Sequence, residues 1–280
     1  IKELMNRCRT SLQVNLLPPL YEADYIKVPC TKPDSGRKWE PLSPDRWRYW
    51  VIVFDGPNAE LKYIESAASL LRNDLELGFT VLGANIISSG EAILWHGQSL
   101  FSFFENQKMG QPAVSITGDE LREIRENYDL IKKISPEHEY ITGSLKKFND
   151  LKSLLRNSEL MIIGLFSIIE SLITHCPSHK NIDDSINHQI QTKLPLLRKR
   201  FPRELEYVKY FSKIKENDVW KKLYKYRNSI VHGEHPSLDG QLKKELKSRE
   251  NVYEFLKETV KLLFLQALKE PIFLTDLKKC

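Results

Sequence analysis

Residues 160–173 read LMIIGLFSIIESLI, a stretch with one charge, Glu170. A surface helix carries one apolar stripe and a polar back, so a segment apolar nearly all round belongs inside a shell of other helices. It is too short to span a bilayer, which takes about 20 apolar residues. The chain must therefore supply the shell, and the sequence around it has the pattern. SLKKFNDLKSLLRN (144–157) puts Leu145, Phe148, Leu151 and Leu155 on one stripe. DDSINHQIQTKLPLLRKR (183–200) opens with an acidic cap and ends basic, with Pro195 expected to kink or split it. RELEYVKYFSKI (203–214) and NDVWKKLYKYRNSIVHG (217–233) follow, the second capped by Asn217 or Asp218 with Trp220, Leu223, Tyr226 and Ile230 in register. RENVYEFLKETVKLLFLQALKE (249–270) is the last long helix. This half reads as a bundle of five or six helices with short loops.

The first half has a different texture. RYWVIVF (48–54), closed by Asp55-Gly56-Pro57, reads as a buried strand, and FTVLGANI (79–86) and EAILW (91–95) as two more joined across SSG. AELKYIESAASLLRNDL (59–75) has a helical period with Leu61, Ile64, Ala68 and Leu71 on one side. TGDELREIRENYDLIKKI (117–134) reads as a linker helix, capped by Thr117 or Asp119 and stopped at Ser135-Pro136. The expected fold class is α+β: an N-terminal mixed α/β or β-rich domain of unknown role, a possible sensor or accessory unit, over 1–138, then an all-α bundle over 139–280. Asp55 and His96 stand alone in the first half and read as structural.

Charge divides the chain the same way. Residues 141–280 hold 26 Lys and Arg against 17 Asp and Glu, a balance of +9, while 1–140 carries −4, making the chain's +5. The second half is the candidate for a polyanion partner. No run of 18 apolar residues and no signal-peptide pattern is read, so no membrane contact and a cytoplasmic location are expected. Cys8, Cys30, Cys176 and Cys280 are scattered without a CxxC pair, which fits reduced thiols. Cys176 and His179, beside His175, form half a zinc site with no second pair at metal spacing, so neither metal nor cofactor is expected.

The stretch YRNSIVHGEHP (226–236) admits two readings. Arg and His in a last turn before Gly233 and Pro236 make an ordinary helix stop. Alternatively, Arg227 and His232 belong to an active site. On a helix, Asn228 and His232 are neighbours four apart and can hydrogen-bond, fixing the imidazole tautomer. Arg227 lies roughly 140° around the helix from His232, so the two are not side by side. Two copies of this helix about a two-fold axis bring two arginines and two histidines to one cleft, making any such site a homodimer site. Glu170 needs a partner in its apolar helix, and Arg227 is a candidate. That pair alone is compatible with a salt bridge that merely locks the bundle.

LFSIIESLITH, a basic helix, LYKYRNSIVHG and a final amphipathic helix together resemble the HEPN superfamily, most closely its Apea-like domains from prokaryotic defence proteins. The likeness covers roughly 140–270. The family motif is Arg, four to six residues, then His; Arg227-Asn228-Ser229-Ile230-Val231-His232 matches with four between, and Gly233 follows as is common there. Glu170 matches a polar residue often carried on the preceding long helix. The resemblance implies a metal-independent endoribonuclease that cuts single-stranded RNA through the 2′-hydroxyl, with a defence or toxin-like role. His232 would be general base or acid, Arg227 would hold the scissile phosphate, Asn228 would orient His232 or touch the phosphate, and Glu170 would position Arg227. Lys193, Arg198, Lys199, Arg200, Arg203, Lys221, Lys222 and Lys225 would line the RNA approach. His235 is a further candidate proton donor, with a loop role as its other reading, and His138 and His188 read as core or surface residues. The alternative within the same family is a non-catalytic module that binds RNA, a nucleotide or a partner protein.

Overall fold

The computed structural model describes residues 30–31, 40–41, 60–73, 75, 80–82, 91–93, 117–155, 158–177, 185–211, 214–234 and 245–280. The chain forms two compact units, Ile1–Lys62 with Leu75–Thr117, and Tyr63–Asp74 with Gly118–Cys280. In the first unit, strand β1 (Cys30–Thr31) pairs antiparallel with β2 (Glu40–Pro41), and β3 (Thr80–Leu82) with β4 (Glu91–Ile93). In the second pair Thr80 stands opposite Ile93 and Leu82 opposite Glu91. The expected strand at 48–54, and Asp55 and His96, lie outside the described residues.

The α+β class is corrected. The described residues are helical, with nine α-helices among them, and their extended pairs run for only two or three residues. Runs such as FTVLGANI signal a local extended preference, but a free-standing sheet needs three or more strands sharing an apolar face. Among the described residues, pairs this short make no β-rich domain.

The second unit is a bundle around α4 (Glu159–Ile173), the apolar segment. Ser158 caps it, its hydroxyl accepting the Met161 N–H at 3.2 Å, and Met161, Ile162, Leu165, Phe166, Ile168, Ile169, Leu172 and Ile173 are buried. Around α4 pack α3 (Glu139–Asp150), α5 (Ile186–Arg198), α7 (Glu216–Val231), α8 (Arg249–Lys269) and α9 (Pro271–Lys279). Gly164 admits the Leu151 side chain onto the α4 backbone; a Cβ there would run into it. The short α6 (Tyr207–Phe211) lies against α8, where Phe255 meets Tyr207, Tyr210, Phe211 and Trp220 at centroid distances of 4.8–5.5 Å. The Trp220 indole N–H donates to the Tyr207 hydroxyl at 2.7 Å, which satisfies these two of the cluster's polar tips.

Several element bounds differ from expectation. The helix expected over 144–157 is α3, which starts at Glu139, gives way after Asp150 to a 3-10 turn (Leu151–Ser153), and leaves Leu155 70% exposed. Ser185, not the acidic pair before it, caps α5, and Pro195 sits in its last turn without splitting it. Lys215 is the N-cap of α7, placing Asn217 and Asp218 in the first turn. Of the segment expected to be helical over 203–214, the described residues are helical at α6. Trp220, Leu223, Tyr226 and Ile230 are buried.

Two segments that precede residue 139 are part of this bundle. Helix α2 (Gly118–Lys132), read as a linker, buries Ile124 and Ile131 and packs on α8. From helix α1 (Leu61–Ser69) into the turn after it, Ala67, Ala68, Leu70 and Leu71 are fully buried. Polar anchors hold this segment: Asn149 Nδ2 donates to Ser66 Oγ at 2.7 Å, Lys261 Nζ to the Leu71 carbonyl at 2.7 Å, and Asn73 Nδ2 to Glu120 at 2.7 Å. No helix among the described residues is long and apolar enough to cross a membrane.

Candidate functional site

Helix α7 ends where Gly233 adopts φ +72°, a conformation glycine takes without strain. The Gly233 N–H donates to the Ile230 carbonyl at 3.0 Å and the Glu234 N–H to the Ser229 carbonyl at 3.0 Å. This doubled bond pair is a Schellman stop, and it closes the helix at His232. His232 is therefore the C-cap residue, its own N–H on the Asn228 carbonyl at 2.9 Å and its side chain exposed. A cationic imidazole at this position also complements the negative end of the helix dipole.

Arg227 lies on the flank of α7 that faces α4. Its Nη2 stands 3.4 Å from Glu170 Oε1 and 3.5 Å from Oε2, and Nη1 donates to Asn228 Oδ1 at 3.1 Å. The side chains of Arg227 and Glu170 are 23% and 16% exposed. These are long contacts for an ion pair, and Arg227 Nε and Glu170 Oε1, both buried, find no hydrogen-bond partner among the described residues. Burial pushes the Glu170 carboxyl above the ordinary carboxylate range, and the guanidinium opposes that rise. The pair is in place but not saturated.

Beneath the guanidinium lies Tyr224. Arg227 Cζ stands 5.5 Å from the centre of its ring, and that ring meets Phe166 of α4 edge-on at 6.2 Å. Burial, and then the Glu170 charge, raise the Tyr224 phenol above its ordinary range, with Arg227 acting the other way. Sequence reading passed over Tyr224 because it belongs neither to the buried stripe nor to the motif. Its position three residues before Arg227, on the same flank, is the signal that finds it.

The structure brings Glu170, Arg227 and Asn228 together and leaves His232 apart from them. The expected bond between the Asn228 and His232 side chains is not made; the Asn228 side-chain oxygen turns to Arg227 and only its carbonyl serves His232. His235 lies outside the described residues. His138 is buried with its Nδ1 at 2.9 Å from Thr275 Oγ1, and His188 is exposed.

The eight basic residues expected along the RNA approach separate by environment. Lys193 is 5% exposed and donates to Gln189 Oε1 at 3.2 Å and the Lys278 carbonyl at 3.3 Å, so it cannot face a polyanion in this arrangement. Arg198 pairs with Glu204 at 3.2 Å, Arg200 with Glu270 at 3.0 Å, Arg203 with Glu258 at 2.9 Å and Lys222 with Glu245 at 2.7 Å. Lys199, Lys221 and Lys225 are exposed. On α7, Lys221, Lys225 and His232 fall within about 40° of one another, a single exposed stripe.

No three His, Cys, Asp or Glu side chains gather as a metal site among the described residues, and His179 lies outside them. Cys176 and Cys280 are exposed free thiols. A cleft of about 190 Å³ lined by residues such as Arg72, Glu206, Lys209, Glu254 and Lys257 includes none of Glu170, Arg227, Asn228 and His232. No known protein family, curated protein or solved structure matches the chain.

Proposed function

We propose that the chain is a metal-independent endoribonuclease of the HEPN type, cutting single-stranded RNA in a defence or growth-arrest role. The observation that carries this reading is the division of labour on α7: a basic side chain held at Arg227 by an acid and an amide, and an exposed imidazole at the helix stop. The 2′-oxygen attacks the adjacent phosphorus, the bond from phosphorus to the 5′-oxygen breaks, and a 2′,3′-cyclic phosphate and a 5′-hydroxyl result. One His232 takes the 2′-hydroxyl proton, and a second protonates the leaving 5′-oxygen. Arg227 neutralises charge on the phosphoryl oxygens, a task its planar fork suits.

Helix geometry keeps one chain's Arg227 and His232 on different flanks, so two copies of α7 complete the site in a homodimer. Single strands fit because in-line attack needs a flexible backbone. The exposed stripe of Lys221, Lys225 and His232 supports an RNA path along α7, with the lysines on flanking phosphates.

The test is cleavage of single-stranded RNA by the full chain in EDTA, with products read for a cyclic phosphate. His232→Ala and Arg227→Ala should each abolish cutting while the fold and dimer persist. Wild-type protein that cuts no RNA, or a His232→Ala variant that cuts as well as wild type, ends the proposal. RNA binding without turnover moves the assignment to a non-catalytic binding module. A second reading is favoured by the Glu170–Arg227 contact itself: a polar pair that only locks α4 to α7. In that case Arg227→Ala lowers stability by about 3 kcal/mol or more and the loss of cutting follows from unfolding.

A further inference from the structure

We infer that Tyr224 is a positioning residue for Arg227, holding the guanidinium plane as Arg227 exchanges Glu170 for a phosphate. The inference rests on the ribonuclease reading only for what Arg227 holds. Both of Arg227's contacts to Glu170 are at 3.4–3.5 Å, too long to fix the fork in one orientation. Its Nη1 bond goes to Asn228, the next residue on the same helix, which restrains one nitrogen but not the plane. The Tyr224 ring lies beneath this guanidinium, with Cζ over it at 5.5 Å from its centre, and offers an aromatic support that neither of those contacts supplies. That ring is itself met from the bundle side by the Phe166 ring on α4, nearly perpendicular to it.

The arrangement separates two jobs. Glu170 sets the charge and direction of Arg227, and a phosphate, being an anion, competes for the same nitrogens. Tyr224 meets the guanidinium through its ring, whereas a phosphate binds at the nitrogens. Arg227 can therefore turn from carboxylate to phosphate without losing its support. The ring supplies this support and the phenol oxygen does not, so phenylalanine should substitute and leucine should not.

The experiment uses the full chain and two readouts. One is kcat and KM for single-stranded RNA; the other is the Arg227 Nε–H signal by 15N NMR, with and without inorganic phosphate. Tyr224→Leu should lower kcat by about tenfold or more with a smaller change in KM, since misorientation is felt mainly in the transition state. It should also release the guanidinium to rapid rotation, whereas Tyr224→Phe should keep both the signal and most of the activity. A Tyr224→Leu protein whose Arg227 signal is as restricted as wild type overturns the inference, as does one with wild-type kcat. If wild-type protein cuts no RNA, the ribonuclease reading falls, and the NMR arm alone decides whether Tyr224 holds Arg227. A purely packing role would lower the thermal midpoint of Tyr224→Leu and leave the Arg227 signal unmoved in the folded protein.

Discussion

Glu170 carries a carboxyl that burial pushes up and Arg227 pulls down, and this balance has a consequence for stability against pH. A carboxyl with a raised value in the folded state binds its proton more tightly there than when unfolded. Its contribution to stability is fully present below the unfolded value and is lost as pH rises through the folded one. Arg227→Ala removes the opposing charge and raises the Glu170 value further. Stability should then fall more steeply than in wild type as pH rises above the ordinary carboxylate range, and Glu170→Gln in the same background should flatten the profile. Urea unfolding over that rise in pH checks it. His232→Ala should change stability by less than about 0.5 kcal/mol, because the side chain is exposed at the cap. Glu170's need for a partner was legible in the sequence, since a lone charge in an apolar helix demands one. Asn228's choice of Arg227 over His232 was not legible, because both neighbours are within reach on a helix and only the packed geometry selects.

The helices themselves were legible where periodicity was strong and illegible where punctuation was ambiguous. Helices α4, α7 and α8 follow their apolar patterns closely because tertiary burial and local pattern agree. Helix α9 went unread because Pro271 looks like a stop; here it occupies the first position of the next helix, where its missing N–H costs nothing. The Gly233 stop was readable as composition, and its geometry makes it testable. Gly233→Ala should cost about 1–2 kcal/mol with no steric clash, because nothing lies within 4 Å of an added Cβ and the strain is in the backbone alone. The exposed imidazole would shift with the frayed end, so under the proposed ribonuclease function cutting should weaken as well; thermal unfolding and an RNA cleavage assay read the two effects. In the second turn of α8, Phe255→Ala should cost about 3–5 kcal/mol by chemical denaturation, since four aromatic rings lose their common neighbour.

The bundle is completed by a segment that composition assigned elsewhere. Tyr63–Asp74 precedes a stretch of the other unit yet seats its small side chains in the bundle, a contact across sequence that no local pattern announces. A fragment beginning at residue 118 should therefore lose near-ultraviolet circular dichroism or melt well below the full chain, and a peptide of residues 60–75 added back should restore it. Ala67, Ala68, Leu70 and Leu71 would be missing, and Lys261 would lose the Leu71 carbonyl. That bond also sets a clock. Leu71 and Lys261 are 190 residues apart in the chain. At about 5–20 residues per second, the growing chain waits about 10–40 s between making the carbonyl and making the ammonium that grips it. During synthesis the Leu71 carbonyl is thus made early and gripped late, after Glu120 and Asn149 have already been made to hold Asn73 and Ser66.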